Sequence, residues 1–243
     1  MKTLLLRLAA PMQSWGDESD FEYRRTKREP TKSGVIGMIS SAMGMKRSED
    51  SSFLYSLRFG VRVDQEGIDV DRYDYQITRT SKKNNRTGSY SLVKNGEYEL
   101  EEKSTILSYR YYLYDAVFLV GLEGDDDLIA RVQDALKRPM WPLFLGRRSC
   151  PPSGRILLGI RSDNLEDALT VEPFLAGENI SDRNLRFVVE PQNSTDDSYY
   201  LKDQPITYNQ SKRSYGRRKA RTFYKRSGEL STPKEHDPFS VLL

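Results

Sequence analysis

The 243-residue chain carries 38 Lys and Arg against 35 Asp and Glu, a formal net charge of +3, with 37% hydrophobic and 11% aromatic residues. Its mean hydropathy of −0.68 is low for a globular chain, but the aromatic content argues against wholesale disorder, and the length leaves room for one large domain or one domain with a small appendage. A single cysteine, Cys150, excludes an internal disulfide and any multi-cysteine metal site. The opening MKTLLLRLAAP has too short an apolar core for a signal peptide, and no apolar run approaches a membrane span. A cytoplasmic protein with no membrane partner is expected.

Residues 3–9 read as a short buried strand. A basic loop follows, with Arg24, Arg25, Lys27 and Arg28. Residues 33–44 then read as a helix: Ser33 is its cap, Val35, Ile36, Met38, Ile39, Ala42 and Met43 recur at helical spacing, and Gly44 stops it. This order places cations and a helix N-terminus at one end of a sheet, a combination suited to a polyanion. Phe59, Val61 and Val63 alternate with Arg58, Gly60 and Arg62, the pattern of a half-buried strand. Residues 70–78 alternate again, with Tyr73, Tyr75 and Ile77 on one face.

Between 79 and 105 the chain turns polar: Arg79, Lys82, Lys83, Arg86 and Lys94 lead to an acidic EYELEEK limb, with a tight-turn signal at Asn95-Gly96. A long protruding hairpin is predicted, with a solvated loop as the alternative. DAVFLVGL at 115–122 reads as a central strand. Asp125 to Asp127 open a helix whose apolar stripe is Leu128, Ile129, Val132, Ala135 and Leu136 and which ends at Pro139. RILLGI at 155–160 is a further strand. With 70–113 set aside as an insertion, the order is strand, helix, strand, strand, helix, strand. That is the α+β, ferredoxin-like βαββαβ arrangement, an RRM-like scaffold, spanning 1–161. Shorter, irregular elements over 162–243 predict a small strand-rich C-terminal part.

The charge is unevenly spread. Residues 162–203 hold ten acids against three bases, and 211–226 hold eight bases and no acid. The contrast predicts a polyanion-facing surface beside an acidic one turned to solvent or a protein neighbour. Within 208–226, Tyr208, Tyr215, Phe223 and Tyr224 interleave with those cations, a composition suited to RNA or to a basic tail without structure of its own. In FLGRRSCPPSG (144–154), the glycines permit close backbone approach and Arg147 and Arg148 can grip phosphates, while Pro151-Pro152 fixes the exit. Catalytic options are thin. His236 is the only histidine and has no partner set for a metal, and no phosphate-binding or dinucleotide-binding glycine motif is present. The YRYYLY run (109–114) leaves a metal-independent ribonuclease as an alternative, although none of its groups titrates near neutrality unperturbed.

LLLRLAAPMQSWG followed by PTKSGVIGMISSAMG, and later FLGRRSCPP, resembles the CasD family, the type I-E CRISPR Cascade subunits of the RAMP superfamily of RNA-binding proteins. The resemblance implies a ferredoxin-like domain with an inserted β-hairpin thumb at about 79–108, and a small C-terminal part. It implies a non-catalytic subunit without a cofactor or metal, which grips the 5′ handle of the crRNA and caps the backbone filament in antiviral defence. The implied partners are the crRNA, a CasC-like backbone subunit and a CasA-like large subunit, with target DNA met only within the complex. Carried to this sequence, the handle-facing residues are Gln13, Trp15, Arg24, Arg25, Arg28, Lys32 and Ser33, with Arg147, Arg148 and Ser149 on the second loop and Arg79, Lys82, Lys83 and Arg86 on the thumb. Trp15 is read either as a stacking residue or as core. A related branch cuts CRISPR RNA with a Tyr/Lys/His-type constellation, from which this chain departs by having His236 alone. An endoribonuclease that processes repeat RNA is the alternative function.

Overall fold

The computed structural model describes residues 1–16, 22–68, 73–81, 103–177, 183–192, 197–209 and 214–227. The N-terminal half contributes β1 (Lys2–Ala9), the short strands β2 (Met12–Gln13), β3 (Trp15–Gly16), β4 (Tyr23–Arg24) and β5 (Thr26–Lys27), then α1 (Lys32–Ala42). Next come β6 (Arg58–Gln65), β7 (Tyr73–Ser81), β8 (Lys103–Tyr111), β9 (Leu113–Tyr114) and β10 (Val117–Gly124). The C-terminal part holds α2 (Asp126–Lys137), β11 (Leu157–Arg161), α3 (Leu165–Val171), β12 (Asn184–Val189), β13 (Tyr199–Thr207) and β14 (Ser214–Arg226).

Seven of these strands form one sheet in the order β11-β1-β10-β6-β12-β14-β13, with every neighbouring pair antiparallel. The chain is thus a strand-dominated α/β protein. Leu4, Leu6 and Leu8 of β1 point to one face and pack with α1 and α2; Leu5 points to the other and packs with α3. Each face therefore carries its own core, which is why the consecutive Leu4, Leu5 and Leu6 of β1 are all buried. Register shifts interrupt the ladder between Leu5 and Leu6 on the β11 side, and twice along β13.

Three expectations change. The first concerns α1, which is capped by Thr31 rather than Ser33: the Thr31 hydroxyl accepts from the Gly34 N–H at 3.2 Å. The second concerns β6, which is buried on both faces rather than one, because α3 lies on the side where Gly60 and Arg62 point. Gly60 and Gly121 are cross-strand partners under this helix, and a Cβ on Gly121 would sit 2.6 Å from Leu165 Cδ1. The third concerns the basic 208–226 segment. Its residues 214–226 are a 13-residue strand of the main sheet, not a tail. There Arg218 Nε pairs with Asp203 at 2.6 Å and Arg221 with Glu166 at 2.7 Å, so part of the acidic block neutralises part of the basic one inside the fold.

Arg62 is fully buried and its donors are occupied. It pairs with Asp64 at 2.6 and 2.8 Å and donates to the carbonyls of Leu169, Glu172 and Pro173 at 2.6–2.8 Å. The guanidinium thereby satisfies the carbonyl end of α3 from the sheet below.

Candidate nucleic-acid interface

A second, three-stranded sheet in the order β4-β8-β7 stands apart from the main one. Its β4 runs parallel to β8 and its β7 antiparallel, with Arg24 and Asp74 both aligned with Arg110 and Tyr23 and Tyr75 both aligned with Tyr109. Successive strand residues point to opposite faces, so the arginines and Asp74 share one face and the tyrosines the other.

The loop after α2 closes onto the arginine face. Leu145 and Cys150 bracket a tight turn, with the Leu145 N–H donating to the Cys150 carbonyl at 2.8 Å, and the Ser14 N–H donating to the Leu145 carbonyl at 3.2 Å. Gly146 makes that approach possible. It has φ +87°, and a Cβ there would lie 1.6 Å from the Ser14 carbonyl oxygen. The close approach sets Arg147 against β4: its Nη2 donates to the Arg24 carbonyl at 2.9 Å, and its guanidinium carbon lies 4.8 Å from the Tyr112 ring centre.

Three guanidiniums therefore crowd together. Arg110 is pushed below its usual value first by burial, then by the like charges of Arg24 and Arg147, with Asp74 opposing weakly. Among the described residues three buried guanidinium donors have no hydrogen-bond partner: Arg110 Nε and Arg147 Nη1 belong to this cluster, and Arg218 Nη1 lies in β14 of the main sheet. Buried donors are almost always satisfied, by protein or by ordered water, so two such donors side by side leave this cluster open to an acceptor.

The residues expected to face RNA divide into two groups. Arg24, Arg25, Arg148 and Ser149 are exposed, and Arg24 lies with Arg147 at the cluster. Gln13, Trp15 and Lys32 are buried. Gln13 Nε2 donates to the Leu8 and Ala116 carbonyls at 3.2 and 2.7 Å, while its Oε1 accepts from Trp15 Nε1 at 3.1 Å. Trp15 is 0% exposed, so its ring offers no face to a base in this structure. Lys32 Nζ pairs with Glu190 at 3.0 Å; burial pushes its ammonium below the usual lysine value and Glu190 opposes that shift.

The N-terminus of α1 is also occupied from within. The Lys32 N–H donates to Asp203 at 2.9 Å, and the Tyr208 hydroxyl donates to the Ser33 carbonyl at 2.6 Å. Arg28 lines a separate groove with Asp64, Glu66, Arg183 and Arg186. Arg79 pairs through its backbone with Thr105 in the β7-β8 ladder; Lys82, Lys83, Arg86 and His236 lie outside the described residues.

Residues 3–221 match the family model of CRISPR-associated protein (Cas_Cas5). The chain belongs to this family. This Cas5 protein is 32% identical over 202 residues to the Cascade subunit CasD of Escherichia coli (strain K12), a match over 78% of this chain and 87% of that relative. Two solved structures are similar along nearly their whole length. One is a crystal structure of a Cas protein, with 33% identity, 95% of this chain and 98% of that chain covered, and a TM-score of 0.71. The other is a chain of a CRISPR RNA-guided surveillance complex, with 31% identity, 96% and 95% covered, and a TM-score of 0.72. Among the described residues of this Cas5 protein, no helix is long and apolar enough to cross a membrane, and no group of three His, Cys, Asp or Glu side chains could hold a metal ion.

Sequence reasoning met Arg110 and Tyr112 only in the YRYYLY run of the ribonuclease alternative and did not place them beside Arg24 and Arg147. The signal was available: in YRYYLY, alternation sets residues 110 and 112 on one side, and FLGRRSCPP supplies the arginine that covers Tyr112.

Proposed function

We propose that this Cas5 protein is an RNA-gripping structural subunit of a type I-E Cascade complex, and that the Arg24–Arg110–Arg147 cluster holds phosphates of the crRNA 5′ handle. The observation that carries the reading is the pair of buried, unpartnered guanidinium donors among three crowded cations. A phosphate oxygen accepts such donors and offsets the repulsion at once. Arg25, Arg148 and Ser149 extend the grip along the rim, whereas Gln13, Trp15, Lys32 and Ser33 serve it by holding the frame.

A ferredoxin-like core is supported by β1, β6, β10 and β11 lying in the order β11-β1-β10-β6, with α1 and α2 as the crossovers. A thumb rising from that core is supported by the antiparallel pairing of β7 with β8 as far as Ser81 and Lys103. The role is non-catalytic in this reading, since guanidiniums do not exchange protons near neutrality. Its partners are the crRNA, a CasC-like backbone subunit and a CasA-like large subunit, in the cytoplasm.

Fluorescence anisotropy of a labelled handle RNA, titrated with the full chain across a salt series, tests the assignment. Binding falls steeply with salt, and Arg147→Ala combined with Arg24→Ala weakens it while lowering the salt slope by about one for each phosphate no longer held. An unchanged slope in a folded double variant removes the cluster from the interface. Specific cleavage of repeat RNA by the pure protein in chelator overturns the non-catalytic reading in favour of a metal-independent endoribonuclease.

A further inference from the structure

The opposite face of the β4-β8-β7 sheet is built from rings. Tyr23 stacks on Tyr109 with centres 4.9 Å apart and planes at 11°. Tyr73 and Tyr75 set their edges against Tyr109 at 4.9 and 5.6 Å, and Tyr73 also meets Tyr111 at 5.5 Å. This is no buried core: Tyr23, Tyr73 and Tyr75 are 42%, 46% and 53% exposed, and Ile77 beyond them is 57% exposed. A contiguous exposed apolar face of this kind marks a binding surface more often than an accident of packing.

Three features select the ligand. Rings dominate the patch, and two of them are already parallel, the arrangement that a further flat ring extends by stacking. The patch shares its strands with the arginine cluster: Tyr23 adjoins Arg24, and Arg110 lies between Tyr109 and Tyr111. Because β4 is an edge strand, a single polynucleotide passing around that edge meets a guanidinium on one side and a ring on the other within about one residue of chain. The strand β7 also runs on into a segment whose charged residues from 79 to 86 are Arg79, Lys82, Lys83 and Arg86, with no acid.

We infer that this tyrosine face is a stacking platform for unpaired bases of RNA, with Tyr23 and Tyr75 as the contacting rings on a Tyr109 base. The inference rests on the RNA-binding reading above and adds a second mode of contact to it. Phosphates go to the arginine face, and bases leave the strand for the tyrosine face. The two modes differ in salt dependence, since stacking releases no counterions.

Handle RNAs carrying 2-aminopurine at successive positions, titrated with the full chain at several salt concentrations, separate them. One or more positions lose fluorescence on binding to the wild type. Tyr23→Ala and Tyr75→Ala abolish that loss and weaken binding about 5- to 100-fold at every salt concentration, leaving the salt slope intact. Tyr75→Phe retains both signals. Tyr75→Leu keeps an apolar side chain but not the ring, so it behaves as Tyr75→Ala while preserving the melting temperature. The platform is overturned if no position is quenched in the wild type, if the folded Tyr75→Leu variant binds as the wild type does, or if it weakens only the association with protein subunits. A wild type whose RNA binding ignores salt overturns the arginine assignment instead, whatever the tyrosine variants do.

Discussion

Arginine does two opposite things in this protein, and only the surroundings distinguish them. Arg62 is sealed between sheet and α3 with its donors taken up, whereas Arg110 and Arg147 are crowded and each keeps a donor without a partner among the described residues. Arg62→Ala leaves the Asp64 carboxylate buried, with the Leu175 N–H at 2.8 Å still donating to it but no cation beside it. The expected cost is about 3–5 kcal/mol, measured by denaturant unfolding, and a loss below about 1 kcal/mol would refute the account of a buried charge left alone. Cys150 gives a second test at this scale. It is 1% exposed and burial pushes its thiol up, so thiolate is scarce at neutral pH. A disulfide reagent should label it slowly in the native protein and fast after unfolding, and rapid native labelling contradicts its burial. Neither distinction is readable from the chain, where Arg58 and Arg62 alternate with apolar residues as an exposed face would.

Elements defined by their own periodicity are legible in the sequence; those defined by a distant neighbour are not. The stripe of α2 and the apolar runs of β1 and β10 depend on spacing alone, and the Asp125 cap of α2 holds the Asp127 and Leu128 N–H groups at 3.0 and 3.4 Å. The cap of α1 falls two residues before the expected one because Thr31 and Ser33 are both competent, and the choice is tied to Asp203 and Tyr208 far along the chain. α3 is hidden in the sequence for a different reason. At seven residues it is too short to show a repeat, and its seat is the glycine pair of β6 and β10. Gly121→Val therefore overpacks the α3 face and lowers stability by about 1–3 kcal/mol in thermal or chemical melts; a neutral effect would mean that α3 does not rest there.

Across the whole molecule, the charge blocks are visible in the sequence while their pairing is not. Lys32 meets Glu190 and Arg221 meets Glu166 across 158 and 55 positions, separations that no local pattern encodes. The same long-range construction governs stability. The core under α3 joins Leu5 and Leu119 to Leu165, Leu169, Phe187 and Val189, so it is assembled from both sides of residue 162. A fragment of residues 1–161 exposes Leu5 and Leu119 and strips β12 from the edge of β6. It should show no cooperative thermal transition by circular dichroism, and a sharp one would establish that the N-terminal part folds by itself.

An open sheet of seven strands ends in two rows of backbone groups on which another chain could grow. Here both rows are broken. β11 has only five residues and slips register against β1, and β13 slips twice and carries Pro205, which has no N–H to donate. The irregularities at the margins thus act as stops to fibre-like stacking of identical molecules.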